Sequence, residues 1–197
     1  MLPALKKDKL YTYADYARWD DDVKCELIDG VVYLMAPGAS ESHQDTSGDL
    51  FRQLANFLYK KPCKVFHPPF DVCLNADGDN EKSVFQPDLF VVCDRSKLDG
   101  KRCNGAPDMV IEILSPSTAS RDILLKYNKY MLAGVREYWI VDTENKIVRV
   151  CILKEGKYET TDFINPDEIP VTVLDGCLID MKSVFKQVEG EKWIVDT

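Results

Sequence analysis

Apolar and polar positions alternate between two periods along this chain. Cys25-Glu26-Leu27-Ile28-Asp29-Gly30-Val31-Val32-Tyr33-Leu34-Met35 predicts two strands joined at Asp-Gly, a dipeptide suited to a hairpin turn. A short helix is expected before it, over residues 12–19, and then a solvated acidic turn at Asp20-Asp21-Asp22. From 40 to 59 the period turns helical. Leu50, Leu54, Phe57 and Leu58 recur on one face, and Ser40 or Ser42 can cap the start. Short strands follow at 65–66 and 70–74, broken by Pro68-Pro69, and residues 75–82 form a polar loop.

Two apolar strands come next, at 89–93 and 109–114. Ser115-Pro116-Ser117-Thr118 ends the second and offers caps for a helix over 119–133, which Gly134 stops. Strands are expected at 137–142 and 147–153, with a third starting at Tyr158. Weak helical signal returns at 182–185. The strand–helix–strand unit over 109–141 predicts a parallel pair with its helix on one face. The fold class is therefore mixed α/β, and residues 1–197 read as a single domain.

The chain has 197 residues, 25 Lys plus Arg and 33 Asp plus Glu, a net charge of −8. Its average field repels a polyphosphate, which argues against a sequence-blind DNA-coating protein but leaves room for a local groove or a carboxylate metal site. Seven cysteines occur without a CxxC pair, and only two histidines accompany them. Structural zinc is not expected, and free thiols in a reducing cytosol are. No apolar leader or membrane-length run is visible, so the expected location is cytoplasmic.

The chemistry starts at Val110-Ile111-Glu112-Ile113-Leu114. So apolar a run reads as a strand buried on both faces. An ionised Glu there is costly unless it is paired or holds a metal. Gln86-Pro87-Asp88 sets a second carboxylate at the mouth of another buried strand. Two carboxylates on neighbouring strands suit magnesium, which keeps several waters. Phosphodiester cleavage is the matching chemistry. A lysine would complete such a site. Leu114 shares the Glu112 face and is no lysine. Lys126 and Lys129, on the following helix, are the candidates, and Lys126 stands where it can reach back over the strand end.

Several of these segments together resemble a known family. They are Glu26-Leu27-Ile28-Asp29-Gly30, Met35-Ala36-Pro37, His43, Gln86-Pro87-Asp88, the run from Pro107 to Thr118, Asp122, Lys126, Tyr130, and Gly134 to Asp142. They are similar to the Uma-two family of restriction-endonuclease-like proteins, within the PD-(D/E)XK nuclease superfamily. The resemblance spans about residues 11–142, and its specific part is 107–142. It implies a restriction-endonuclease-like core at 11–142 with an N-terminal hairpin. Residues 143–197 are expected to form a C-terminal β extension, whose apolar strands after Ile147 could supply an oligomer interface. The resemblance implies a metal site, Mg2+ or Mn2+, on Asp88, Glu112 and the Ile113 carbonyl. The superfamily's usual lysine position is Leu114 here, so the resemblance moves the catalytic lysine to Lys126 and adds Glu26 as a further acid. His43 and Lys129 are accessory candidates. DNA is the implied substrate, and a homodimer the implied assembly.

Plainer readings stand beside these. Glu112 can be a buried carboxylate simply paired with Lys126. Asp88 and Asp108 follow prolines, as turn residues at strand starts do. Asp122 and Lys126 have the spacing of a helix-surface pair. Glu26 can be a charged outward strand residue, His43 a capping-region histidine, and Lys129 a solvated one. Tyr130, Tyr138 and Trp139 read as packing. The expected function is a metal-dependent endonuclease. The alternatives are a catalytically inactive nuclease-fold protein that binds nucleic acid or serves assembly, and a hydrolase of other phosphate esters.

Overall fold

The computed structural model describes residues 8–19, 24–35, 38–114 and 121–188. The acidic run 20–22, the caps at 115–118, Ala36-Pro37 and the Asp122 side chain lie outside the described residues.

The N-terminal helix α1 (Tyr13–Tyr16) is shorter than the sequence suggests. Strands β1 (Cys25–Ile28) and β2 (Val31–Leu34) form the expected hairpin. Asp29 and Gly30 both take positive φ, 52° and 79°, as its tight turn requires. Gly30 has a further constraint, because a Cβ there would lie 2.9 Å from the Leu10 Cβ. Helix α2 (Glu41–Leu58) is capped by Ser40, whose side chain accepts from the His43 amide. It buries Leu50, Leu54 and Leu58.

Strands β3 (Lys64–Phe66), β4 (Asp71–Cys73), β5 (Val84–Phe85), β6 (Leu89–Val92), β7 (Arg102–Asn104) and β8 (Met109–Ile113) follow. Helix α3 (Arg121–Ala133) leads to β9 (Glu137–Asp142), and Gly134, at φ 92°, ends it with its amide on the Tyr130 and Met131 carbonyls. The chain continues through β10 (Ile147–Lys154), β11 (Lys157–Ile164), β12 (Glu168–Pro170), β13 (Leu178–Asp180) and α4 (Met181–Val188).

A six-stranded sheet runs β11-β10-β9-β8-β6-β3, with β8 and β9 parallel as the strand–helix–strand unit predicts. A five-stranded sheet runs β2-β1-β5-β4-β7. β5 and β7 are absent from the sequence expectation. The six-stranded sheet separates two cores. On one face Met109, Ile111, Ile113, Trp139 and Val141 meet Leu50 and Leu54 of α2 and Val184 and Phe185 of α4. On the other, Phe90, Val110, Tyr138 and Ile140 meet Phe85 and Val72 of the second sheet and Tyr130 of α3. Asp49 of α2 accepts from Ser183 of α4, tying those helices together. Residues 147–185 thus build the first core from inside, through Val148, Val150, Ile169 and Ile179. Among the described residues no helix is long and apolar enough to cross a membrane.

One cysteine expectation is corrected. Lys64 pairs with Val92, so the next step in that register sets Cys63 opposite Cys93, and the two are joined as a disulfide. Cys25, Cys73, Cys103, Cys151 and Cys177 are free and buried.

Candidate active site

The site forms where β8, β6 and β1 meet α2 and α3. Leu89 pairs with Ile111 across the antiparallel β6–β8 ladder, so one further step sets Asp88 opposite Glu112. The Asp88 carboxylate accepts the Ile113 amide at Oδ2, 2.8 Å away, which fixes it at the strand mouth. The same oxygen lies 3.2 Å from His43 Nε2, on the first turns of α2. The hydrogen bond to Asp88 raises the His43 pKa; burial opposes it. Among the described residues the buried His43 Nδ1 has no hydrogen-bond partner.

Glu112 points to the face shared with α3. Lys126 reaches back over the strand, its Nζ 3.0 Å from Glu112 Oε1 and 2.9 Å from Glu26 Oε1. Tyr130, one helical turn on, donates its hydroxyl to Glu112 Oε1 at 2.8 Å. Glu26 also accepts the Gln86 amide at 3.1 Å. Among the described residues these bonds to Glu112 fall on Oε1 and those to Asp88 on Oδ2.

The electrostatics follow from one ammonium serving several acids. Burial pushes the Glu112 carboxyl up to about 7; Lys126 opposes that, while Asp88 and Glu26 add to it. Burial works against the charge on Lys126, but Glu112 and Glu26 together outweigh it and hold its pKa above the usual lysine range. The directions agree because Lys126 draws on two carboxylates, whereas Glu112 has one ammonium and two repelling neighbours. Burial raises the Tyr130 hydroxyl well above its ordinary value. Three carboxyl groups share one lysine here, and the donors are hard oxygens suited to a magnesium-like cation. Among the described residues no three His, Cys, Asp or Glu side chains gather as a metal cage. A hydrated ion on two carboxylates needs no such cage.

Other candidates lie elsewhere. Lys129 pairs with Asp29 at the hairpin turn, 2.5 Å away, and not with Glu112. Asp108 accepts the Cys93 amide and Arg136, a structural role. Tyr138 and Trp139 are fully buried, as packing residues are. Glu26 is 6% exposed, so it is no outward-facing strand residue. Sequence reasoning missed Tyr130 as a partner of Glu112. The available signal was its position four residues after Lys126, on the same helical face.

Two concavities flank the region. A groove of about 290 Å³ opens beside Asp88 and His43. A larger cleft of about 850 Å³ is lined by Tyr13, Tyr16, Trp19, Asp71, Gln86 and Arg102 and holds none of the predicted site residues.

The comparisons agree with this architecture. A crystal structure from Anabaena variabilis, described as "a putative nuclease belonging to DUF820", superposes with a TM-score of 0.71 at 19% identity, covering 89% of this chain and 97% of that one. At that identity the likeness establishes the fold. A protein of Synechocystis sp. described as uncharacterized is 28% identical over 118 residues, 59% of this chain and 60% of that protein's length. A family model described as "Putative restriction endonuclease" matches residues 13–181. The chain belongs to this family, Uma2.

Proposed function

We propose that the chain is a divalent-metal-dependent endonuclease that hydrolyses phosphodiester bonds of nucleic acid, with DNA as substrate. One observation carries the reading: a buried lysine bridges Glu112 and Glu26 while Asp88 stands opposite Glu112 on the next strand. Family membership supports a nuclease-like function and is coarser than the proposal.

Asp88, Glu112 and the Ile113 carbonyl would hold Mg2+ or Mn2+. Such an ion supplies charge neutralisation at a phosphoryl oxygen and a water more easily deprotonated than in bulk. His43 orients Asp88 from outside, as groups that bond a ligand's second atom do. Lys126 stays an ammonium, so its part is to hold negative charge that develops on the phosphate, not to remove a proton. Tyr130 keeps Glu112 in one rotamer. Glu26 keeps Lys126 aimed at the strand end and supports charge and water at the site.

The plainer alternative is a scaffold without turnover, in which Lys126 only neutralises Glu112. The bridge alone is common to both readings, since a buried ion pair needs no catalytic reason. Purified protein incubated with supercoiled plasmid or branched DNA separates the two. Cleavage that requires Mg2+ or Mn2+ and disappears in Glu112→Gln supports the endonuclease. No cleavage by clean, folded protein, with no metal binding by calorimetry, supports the scaffold.

A further inference from the structure

The groove beside Asp88 is cut along one stripe of α2. His43, Ser47, Gly48 and Phe51 follow one another at helical spacing along it, and His67 also lines it. Thus both histidines of the chain border one groove. Asp88, the carboxylate opposite Glu112, lines it as well.

Gly48 sits in the interior of an 18-residue helix. Glycine there costs stability relative to alanine. The backbone gives no reason for it: its φ is not positive, and among the described residues a Cβ added to it would meet nothing within 4 Å. Among those residues no close approach of chain to chain demands a missing side chain. The open space over Gly48 is the groove, and any larger residue would project into it.

The His67 ring is held in place. His67 stands edge-on to the Phe51 ring, with centroids 4.9 Å apart and planes at 90°. Its Nδ1 is bonded to the Pro68 carbonyl at 2.7 Å, and since a carbonyl only accepts, Nδ1 carries the hydrogen. The neutral ring then offers Nε2 as an acceptor.

We propose that this groove is the subsite for the one nucleoside next to the scissile phosphate, and that Gly48 is kept small to admit it. The inference rests on the nuclease reading of Asp88 and Glu112 and adds to it. A groove of about 290 Å³ has room for a base and its sugar. Asp88, which lines it, is a proposed ligand of the metal that would hold the phosphate, so a nucleoside in the groove would lie beside that phosphate. Phe51 and His67 offer ring surface to a base, and the Ser47 hydroxyl and His67 Nε2 offer polar contacts. The substrate class is therefore nucleic acid with an unpaired nucleotide at the cleavage point. His67 and Gly48 act as positioning and specificity residues.

The test is a series at Gly48, to Ala, Leu and Phe, with His67→Ala beside it. Each protein is melted, tested for binding to a fluorescein-labelled single-stranded oligonucleotide without metal, and assayed for single-turnover cleavage with Mg2+. The Gly48 variants are expected to melt at or above the parent temperature. Binding weakens with side-chain size, reaching roughly tenfold at Phe, about the worth of one base contact. KM rises more than kcat falls. An abasic position walked along the strand restores cleavage by Gly48→Phe at one place only, next to the mapped cut. Unchanged binding and cleavage by folded Gly48→Phe overturn the groove assignment and leave the nuclease reading standing. A parent protein that cleaves nothing overturns both. Should Gly48→Phe fail to fold, Gly48→Leu and His67→Ala decide by the same measurements.

Discussion

Replacing Lys126 with Met keeps the length and apolar stem of the side chain and deletes its charge. In the folded chain the Lys126 side chain is 13% exposed, and the side chains of its two partners, Glu26 and Glu112, are 8% and 12% exposed. Removing one member of a buried pair typically costs about 3–5 kcal/mol, because the partner is left charged without compensation. Here two carboxylates lose the same ammonium, and Glu112 also faces Asp88. The upper part of the range therefore applies. At roughly 2–4 °C per kcal/mol for a chain of this size, about 4–5 kcal/mol should lower the melting temperature by roughly 8–20 °C in EDTA. Adding Glu112→Gln to Lys126→Met removes one stranded charge and should recover part of that loss. Adding Mg2+ to Lys126→Met should also recover part, since the ion supplies positive charge to the same acids. Differential scanning calorimetry at one pH reads all three. A Lys126→Met protein that melts with the parent would refute the reasoning, because the bridge would then not be holding those charges.

Other expectations follow from single contacts. His43→Ala takes one hydrogen bond from Asp88 and should lower metal affinity or cleavage roughly 10–100-fold without changing the fold, read by calorimetry and single-turnover kinetics. Gly30→Ala forces a side chain into positive φ and onto Leu10, costing about 1–2 kcal/mol before Leu10 moves, read as a lower urea midpoint with an unchanged slope. In the folded chain Asp99 drops from 3.8 to about 2: burial acts against this, and the Lys101 and Arg102 amides, Asn104 and the Arg102 side chain outweigh it. Its folded pKa lies below the unfolded one, so its stabilisation is present above about pH 4 and fades as pH falls toward 2. Asp99→Asn should therefore lower the urea midpoint at neutral pH, with the gap to the parent closing in acid.

Much of this fold could be read from local pattern. Asp29-Gly30 fixes a hairpin because the turn chemistry is local, and β8 declares itself because five residues in a row are apolar apart from Glu112. The parallel β8–β9 pair follows from the length of α3 between them. What was missed depends on distant partners. β5 is two residues long, too short for any period, and exists because β1 and β4 accept it on either side. The Cys63–Cys93 bond depends on the β3–β6 register, which no spacing in the chain reveals. Glu26 reads as outward on strand alternation alone, yet Cys25, Glu26, Leu27 and Ile28 are all buried, since the second sheet is covered on both faces there. Lys126 was legible as a reach argument. Lys129, equally basic and three residues on, lands instead on Asp29, since three residues shift its position around the helix.

The central claim is that Asp88 and Glu112 form the working site. Its most direct test compares single-turnover cleavage of a labelled DNA by the parent and by Glu112→Gln, at saturating Mg2+ and with equal folded fractions. The account expects metal-dependent cleavage by the parent and a loss in Glu112→Gln greater than the roughly 10–100-fold that an outlying partner costs. Equal rates in the two proteins, or cleavage that persists in EDTA, would contradict it.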